Sequence, residues 1–217
     1  MDEKELQDLA SQFSCPDGDA GLEIAKQMNE LNEFITQKAI DALAPQQGET
    51  LVEIGPGNAV LSLPILKALG DTGRYLAVEM SAAMAEQARI NLRDEDCHVE
   101  IYNSSCSDTD IRASSIDALL AVNVLYFIDN LDEFFHQLFL WMKPGGRVVF
   151  AIRPEKTLES LPFTQYVFNI RNTQTYVSAM ERVGFECLEP VVFDEGVLAL
   201  ADIEVPVATV ILLAKKP

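Results

Sequence analysis

The chain has 217 residues, 48% of them hydrophobic and 23% charged, a composition that excludes a disordered or low-complexity protein. Its 34 Asp and Glu outnumber its 16 Lys and Arg, a formal net charge of -18. That balance argues against a nucleic-acid partner, whose binding needs cations to neutralise phosphates, and against an anionic membrane surface. At about 150 residues per domain, the length suits one α/β domain with an appendage.

Four cysteines, Cys15, Cys97, Cys106 and Cys187, are scattered without a Cys-x-x-Cys pair, and only two histidines could join them. Neither a disulfide framework nor a metal site is expected, and reduced thiols point to the cytoplasm. The acidic start MDEKELQDLASQF lacks the basic region of a signal peptide, and no apolar run approaches the roughly 20 residues of a spanning helix.

Residues 1–44 read as helical: Leu6, Leu9 and Phe13, then Leu22, Ala25, Met28, Leu31, Ile35, Ala39 and Leu43 recur at spacings of three and four. Ser14-Cys15-Pro16-Asp17-Gly18 breaks that run. From Gly48 onward, short β-rich runs alternate with helical ones. Strands are expected at 50–54, 74–79, 98–102, 116–122, 146–152, 185–193 and 206–214, with helices at 58–69, 82–93, 131–142 and 173–183. Continuous apolar strands such as LLAVNV and RVVFAI predict a parallel sheet covered on both faces. The last two strands have no helix between them, so the final one is expected to return antiparallel. This division gives an N-terminal helical cap, 1–44, and an α/β domain, 45–217.

The informative segment is Thr50-Leu51-Val52-Glu53-Ile54-Gly55-Pro56-Gly57-Asn58, where the first strand runs into the next helix. Gly55 and Gly57 let the backbone turn sharply and admit a ligand close to the main chain, beside the free N–H groups that open a helix. Glu53 lies inside an otherwise apolar strand, where a carboxylate is costly unless it meets a cation or hydrogen-bond donors. Glu79 ends the second strand, about 20 residues beyond the turn, where an acid can accept from ribose hydroxyls. A nicotinamide dinucleotide fits less well. The third position of Gly-x-Gly-x-x-Gly is Val60 here, and Glu53 faces where a diphosphate would lie.

With these residues placed, the sequence resembles the class I S-adenosylmethionine-dependent methyltransferases. The resemblance continues through Ser115–Tyr126, similar to the family's fourth-strand segment, through Leu140–Phe150, similar to the turn into its fifth strand, and through Val183-Gly184-Phe185. Gln27-Met28-Asn29-Glu30 resembles small bacterial members whose leading helices cap the site. The family's fold is a Rossmann-like seven-stranded mixed sheet with an antiparallel last strand and helices on both faces. The resemblance implies S-adenosyl-L-methionine as cofactor. It places Glu53, Gly55, Pro56, Gly57 and Asn58 around the methionine moiety, Glu79 on the ribose diol, and Met80 beside the adenine. The family usually carries an acid after the third strand that accepts from the adenine amino group. This chain has Asn103-Ser104-Ser105-Cys106-Ser107 there, leaving Ser105 and Cys106 at that position.

Methyl transfer from a sulfonium is an in-line displacement that depends on alignment and exclusion of water. Asn123, at the end of the fourth strand, is expected to bond the methionine part of the cofactor, and Tyr126 to contact the transferring methyl or orient an acceptor. His98 and His136 are expected at the periphery. A small-molecule acceptor pocket is expected between the leading helices and the long segment after residue 152, built by Met28, Phe34, Phe163 and Tyr166. The protein is expected to act as a monomer or homodimer. A non-catalytic S-adenosylmethionine-binding protein, serving sensing or assembly, is the alternative.

Overall fold

The computed structural model describes residues 1–200 and 203–217. Two helices lead, α1 (Glu3–Ser14) and α2 (Gly18–Leu43). The first is started by a capping box in which Asp2 accepts from the Glu5 N–H and the Glu5 side chain accepts in return. Pro16 lies in the break between the two helices, where it costs no helical hydrogen bond.

Among the described residues, eight strands follow in one sheet: β1 (Thr50–Ile54), β2 (Arg74–Val78), β3 (His98–Tyr102), β4 (Ile116–Val122), β5 (Met142–Ile152), β6 (Glu186–Cys187), β7 (Val191–Leu200) and β8 (Ile203–Lys215). Their spatial order is β3-β2-β1-β4-β5-β8-β6, with β7 also paired to β8. The first five are parallel, and β8 runs antiparallel to β5, β6 and β7. The expected mixed sheet with an antiparallel last strand is the one formed. The chain order reverses between β1 and β4, so a crevice opens at the carboxyl ends of those strands.

Strand alternation sorts the core into two halves. Val52, Ile54, Leu119, Ala121, Val148 and Phe150 face α5 (Leu131–Trp141) and α7 (Thr173–Arg182). Leu51, Tyr75, Leu120, Val149 and Ile211 face α2, α3 (Leu63–Leu69) and α4 (Ala82–Leu92). The carboxyl half of α2, through Ile35, Ala39, Ile40 and Leu43, belongs to this second core. That helix is therefore a cap over its first half and a structural layer of the sheet over its second.

Three expectations need correction. The run 185–193 is two strands, because Pro190 has no N–H to offer the ladder and separates β6 from β7. Beyond 193 the chain stays extended, and Asp194-Glu195-Gly196 forms a bulge where the pairing with β8 shifts register. The segment after β5 is not a long open loop. It holds α6 (Glu155–Glu159) and a 3-10 turn over Pro162–Gln165, whose Thr164 hydroxyl contacts the carbonyls of Leu158 and Leu161. No helix among the described residues is long and apolar enough to cross a membrane.

The double role of α2 predicts how truncations behave. Deleting residues 1–17 should leave a cooperatively folding protein, whereas deleting 1–44 uncovers Leu51, Tyr75, Leu120 and Ile211 and should abolish the cooperative transition. Thermal unfolding followed by circular dichroism distinguishes the two outcomes.

Candidate active site

A cleft of about 630 Å³ lies over the carboxyl ends of β1, β2 and β4, roofed by the end of α1 and by α2 between Ala25 and Thr36, a size suited to a small ligand. Its floor is the glycine turn. Gly55 and Gly57 both have positive φ, 67° and 60°. A Cβ built on Gly57 would meet no atom within 4 Å, so the bare backbone borders open space.

The two acids sit at the neighbouring strand ends. Glu53 is 4% and Glu79 is 7% exposed, and both line the cleft. Glu79 ties β2 to the turn, because Oε2 accepts from the Gly57 N–H at 3.0 Å and Oε1 from the Ser81 N–H at 2.8 Å. Burial nonetheless pushes its carboxyl above the ordinary carboxylate value, with the backbone donors opposing the rise. Glu53 accepts from the Tyr75 hydroxyl at 2.6 Å, and it too is pushed up by burial, against the Tyr75 and Ser62 hydroxyls and with help from the Glu79 charge.

The structure brings Glu53, Gly55, Pro56, Gly57, Asn58, Glu79, Met80, Ser105, Cys106, Asn123 and Met28 to this one cleft. Met80 is 65% exposed at its rim. The Ser105 hydroxyl donates to Asp108 Oδ2 at 2.6 Å. Burial pushes the Cys106 thiol up to about 12, so it stays protonated at neutral pH.

Four expected site residues lie elsewhere. Tyr126 is buried behind Asn123, where its hydroxyl donates to Asn123 Oδ1 at 2.8 Å and accepts from the Arg153 N–H. It does not reach the cleft, and burial raises its phenol pKa well above the usual range. Phe34 is 40% exposed and packs edge-to-face on Phe193. The residues of α2 that line the cleft are Ala25, Met28, Asn29, Asn32 and Thr36. Phe34 stands two positions from Asn32, about 200° around the helix. Phe163 stacks on Phe13 with ring centroids 4.8 Å apart, one layer behind the lining. Tyr166 borders an adjoining recess that shares Ser14, Phe127 and Asp129 with the cleft, and does not itself line the cleft. His98 and His136 do not line the cleft.

Sequence reasoning missed Asn32 and Thr36, which the cleft-facing stripe of α2 contains, and Asn103, whose amide donates to the carbonyls of Glu79 and Met80. The stripe is recoverable from the spacing 25, 28, 29, 32 and 36. Its polar members, Asn29, Asn32 and Thr36, do not belong to the apolar periodicity of the helix.

Comparison with known proteins agrees with this architecture. Residues 52–150 match the family model described as a methyltransferase domain. Phosphoethanolamine N-methyltransferase from Triticum aestivum is 22% identical over 166 residues, covering 69% of this chain and 30% of that protein. Arsenite methyltransferase from Halobacterium salinarum is 23% identical over 177 residues, covering 76% and 44%. The chain thus spans less than half the length of these curated relatives. Among solved structures, the putative methyltransferase complexed with a methyltransferase activator from Haloferax volcanii superposes with a TM-score of 0.75 at 16% identity, covering 98% of each chain. Geranyl diphosphate C-methyltransferase from Streptomyces coelicolor, in complex with S-adenosyl-L-homocysteine, gives 0.72 at 17% identity, covering 93% and 87%.

The raised carboxyl pKa values carry a prediction. A carboxyl whose folded pKa exceeds its unfolded value contributes stability below the unfolded pKa and loses it as pH rises through the folded one. At neutral pH, above the ordinary carboxylate value, burial of the Glu53 carboxyl therefore destabilises the ligand-free protein. Glu53→Gln keeps an acceptor for Tyr75, and it should raise the ligand-free melting midpoint by about 2–4 °C, the shift produced by ~1 kcal/mol in a chain of this size. Glu79→Gln should lower the midpoint instead, because an NH2 group must then oppose the N–H of Gly57 or Ser81. Differential scanning calorimetry at pH 7.5 decides.

The glycine turn beneath a crevice at the strand-order reversal and the paired acids thus lie within the stretch, residues 52–150, that matches a methyltransferase domain, and the fold is the one shared with these solved structures.

Proposed function

We propose that this protein transfers the methyl group of S-adenosyl-L-methionine to a small acceptor that is uncharged or cationic. The observation that carries this reading is the charge of the cleft. Among the described residues, its charged lining groups are Glu53, Glu79, Asp129 and Glu133, with no Lys, Arg or His. A phosphate- or carboxylate-bearing acceptor would be desolvated among like charges without a counterion, which costs several kcal/mol.

The cofactor, when bound, supplies an electrophilic methyl group already activated by its sulfonium. Glu53 supplies a carboxylate for the cofactor's ammonium, Glu79 accepts from the ribose hydroxyls, and the backbone of Gly55, Pro56, Gly57 and Asn58 admits the amino-acid portion at close range. Met80, Ser105 and Cys106 border the adenine side. Phe13, Met28 and Phe127 surround the space left for the acceptor and exclude water from the line of attack. Tyr126 takes no part as a base: its hydroxyl is engaged on both sides and remains protonated. An acceptor that arrives as a neutral amine has a lone pair ready and releases its proton only as the bond to carbon forms. That chemistry needs no strong base in the cleft.

The relatives named for phosphoethanolamine and the neighbour named for geranyl diphosphate contrast with this reading. Production of S-adenosylhomocysteine should be measured over a panel of primary and secondary amines, phenols and phosphate monoesters. Turnover with at least one amine or phenol should exceed that with every phosphate ester by about tenfold or more, as a fully desolvated like-charge contact implies. Preferred turnover of a phosphate ester would overturn the charge argument. Tight cofactor binding without turnover of any panel member would favour a non-catalytic binding protein instead.

A further inference from the structure

The amide of Asn123 is oriented by a chain of hydrogen bonds whose polarity follows from one fixed donor. A backbone N–H can only donate, so the Tyr126 hydroxyl accepts from Arg153 N and must send its own hydrogen to Asn123 Oδ1, 2.8 Å away. With Oδ1 so placed, Asn123 Nδ2 faces α2 and donates to Asn32 Oδ1 at 3.0 Å. Asn32 therefore turns its own NH2 group away from Asn123. Asn32 lines the cleft, and among the described residues its Nδ2 has no acceptor. One turn along, Thr36 is 5% exposed and lines the same wall, and its hydroxyl likewise has no partner among the described residues.

This pair of donors stands at the amino-acid end of the cleft. Asn123 follows β4, which pairs with β1 through Ile54 and Ala121. A Cβ built on Gly55 would approach Val124 Cγ2 to 2.8 Å, so the end of β4 packs directly on the glycine turn. Met80 and Ser105 mark the other end, over β2 and β3.

On the reading that the cleft holds S-adenosylmethionine, the α-carboxylate of that molecule enters a space whose charged side chains are all acids. We infer that Asn32 Nδ2, assisted by the Thr36 hydroxyl, receives this carboxylate, as neutral donors in place of a cation. A Lys or Arg at this wall would pair with Glu53 and cancel the charge offered to the cofactor's ammonium. An amide supplies directed hydrogen bonds and leaves Glu53 free to meet the ammonium. Asn123 and Tyr126 are positioning residues here, because they fix which face of the Asn32 amide meets the cleft.

Calorimetric titration with two ligands tests this: S-adenosylhomocysteine, which carries the α-carboxylate, and 5′-methylthioadenosine, which has the same nucleoside without it. Asn32→Asp retains an oxygen for Asn123 Nδ2 but sets a negative charge against the ligand carboxylate. It should weaken S-adenosylhomocysteine binding by about tenfold or more while leaving 5′-methylthioadenosine within about twofold. Asn32→Ala should show the same selectivity at about fivefold, and the unchanged nucleoside affinity is the control for folding. Equal weakening of both ligands, or unchanged binding of both, would overturn the assignment of Asn32 alone. If the native protein bound no S-adenosylhomocysteine, both this inference and the proposed function would fall.

Discussion

Two carboxylates held out of water at the ends of adjacent parallel strands set the terms for the rest of this structure. Removing each from solvent costs several kcal/mol after relaxation, and the cost persists as long as the site stands ready. Glu79 is compensated by two backbone donors, one from the glycine turn and one from the start of α4. Glu53 is compensated less, by the buried Tyr75 hydroxyl beside it. The apolar layers on either face of the sheet supply the surplus that tolerates this arrangement. At Glu53, ligand affinity and ligand-free stability are thereby set against each other.

The cap is attached to this edge at several points. The Ser81 hydroxyl, at the start of α4, donates to the Pro16 carbonyl in the break between α1 and α2. Asn32 meets Asn123 from α2. Arg153, just beyond β5, reaches the Leu31 carbonyl with one nitrogen and Glu195, Ala208 and Thr209 of the β7–β8 hairpin with another. Each attachment lands beside a residue that lines the cleft or one bond behind it, so the roof and the floor are parts of a single hydrogen-bonded frame.

Much of this was legible in the sequence. The apolar runs around β1, β2 and β4 show themselves because those strands are buried on both faces, and the glycine turn with its two acids is local in the chain. What escaped was tertiary. The cleft-facing role of Asn32 depends on its partner 91 residues away. Phe34, Phe163 and Tyr166 have the chemistry of pocket residues, but side-chain type says nothing about which side of a helix or turn is roofed over. Tyr126 lies at the right strand end and points inward, because residue 123 takes the cleft position with a positive φ of 56° and the chain then turns through a 3-10 segment over Leu125–Phe127. The full length of the hairpin escaped as well, because only pairing to β8 shows that the chain continues as a strand through a bulge at Asp194-Glu195-Gly196.

The place of β8 has a kinetic corollary. It is last of the strands in sequence yet interior in space, hydrogen-bonded to β5 along one edge and to β6 and β7 along the other. As the polypeptide emerges from a ribosome, the parallel part of the sheet must wait with β5 as a bare edge until residues 203–215 arrive. During that interval an exposed ladder of N–H and C=O groups is open to strangers. Slow, high-contact-order closure of this kind makes nascent chains dependent on dilution or on a chaperone.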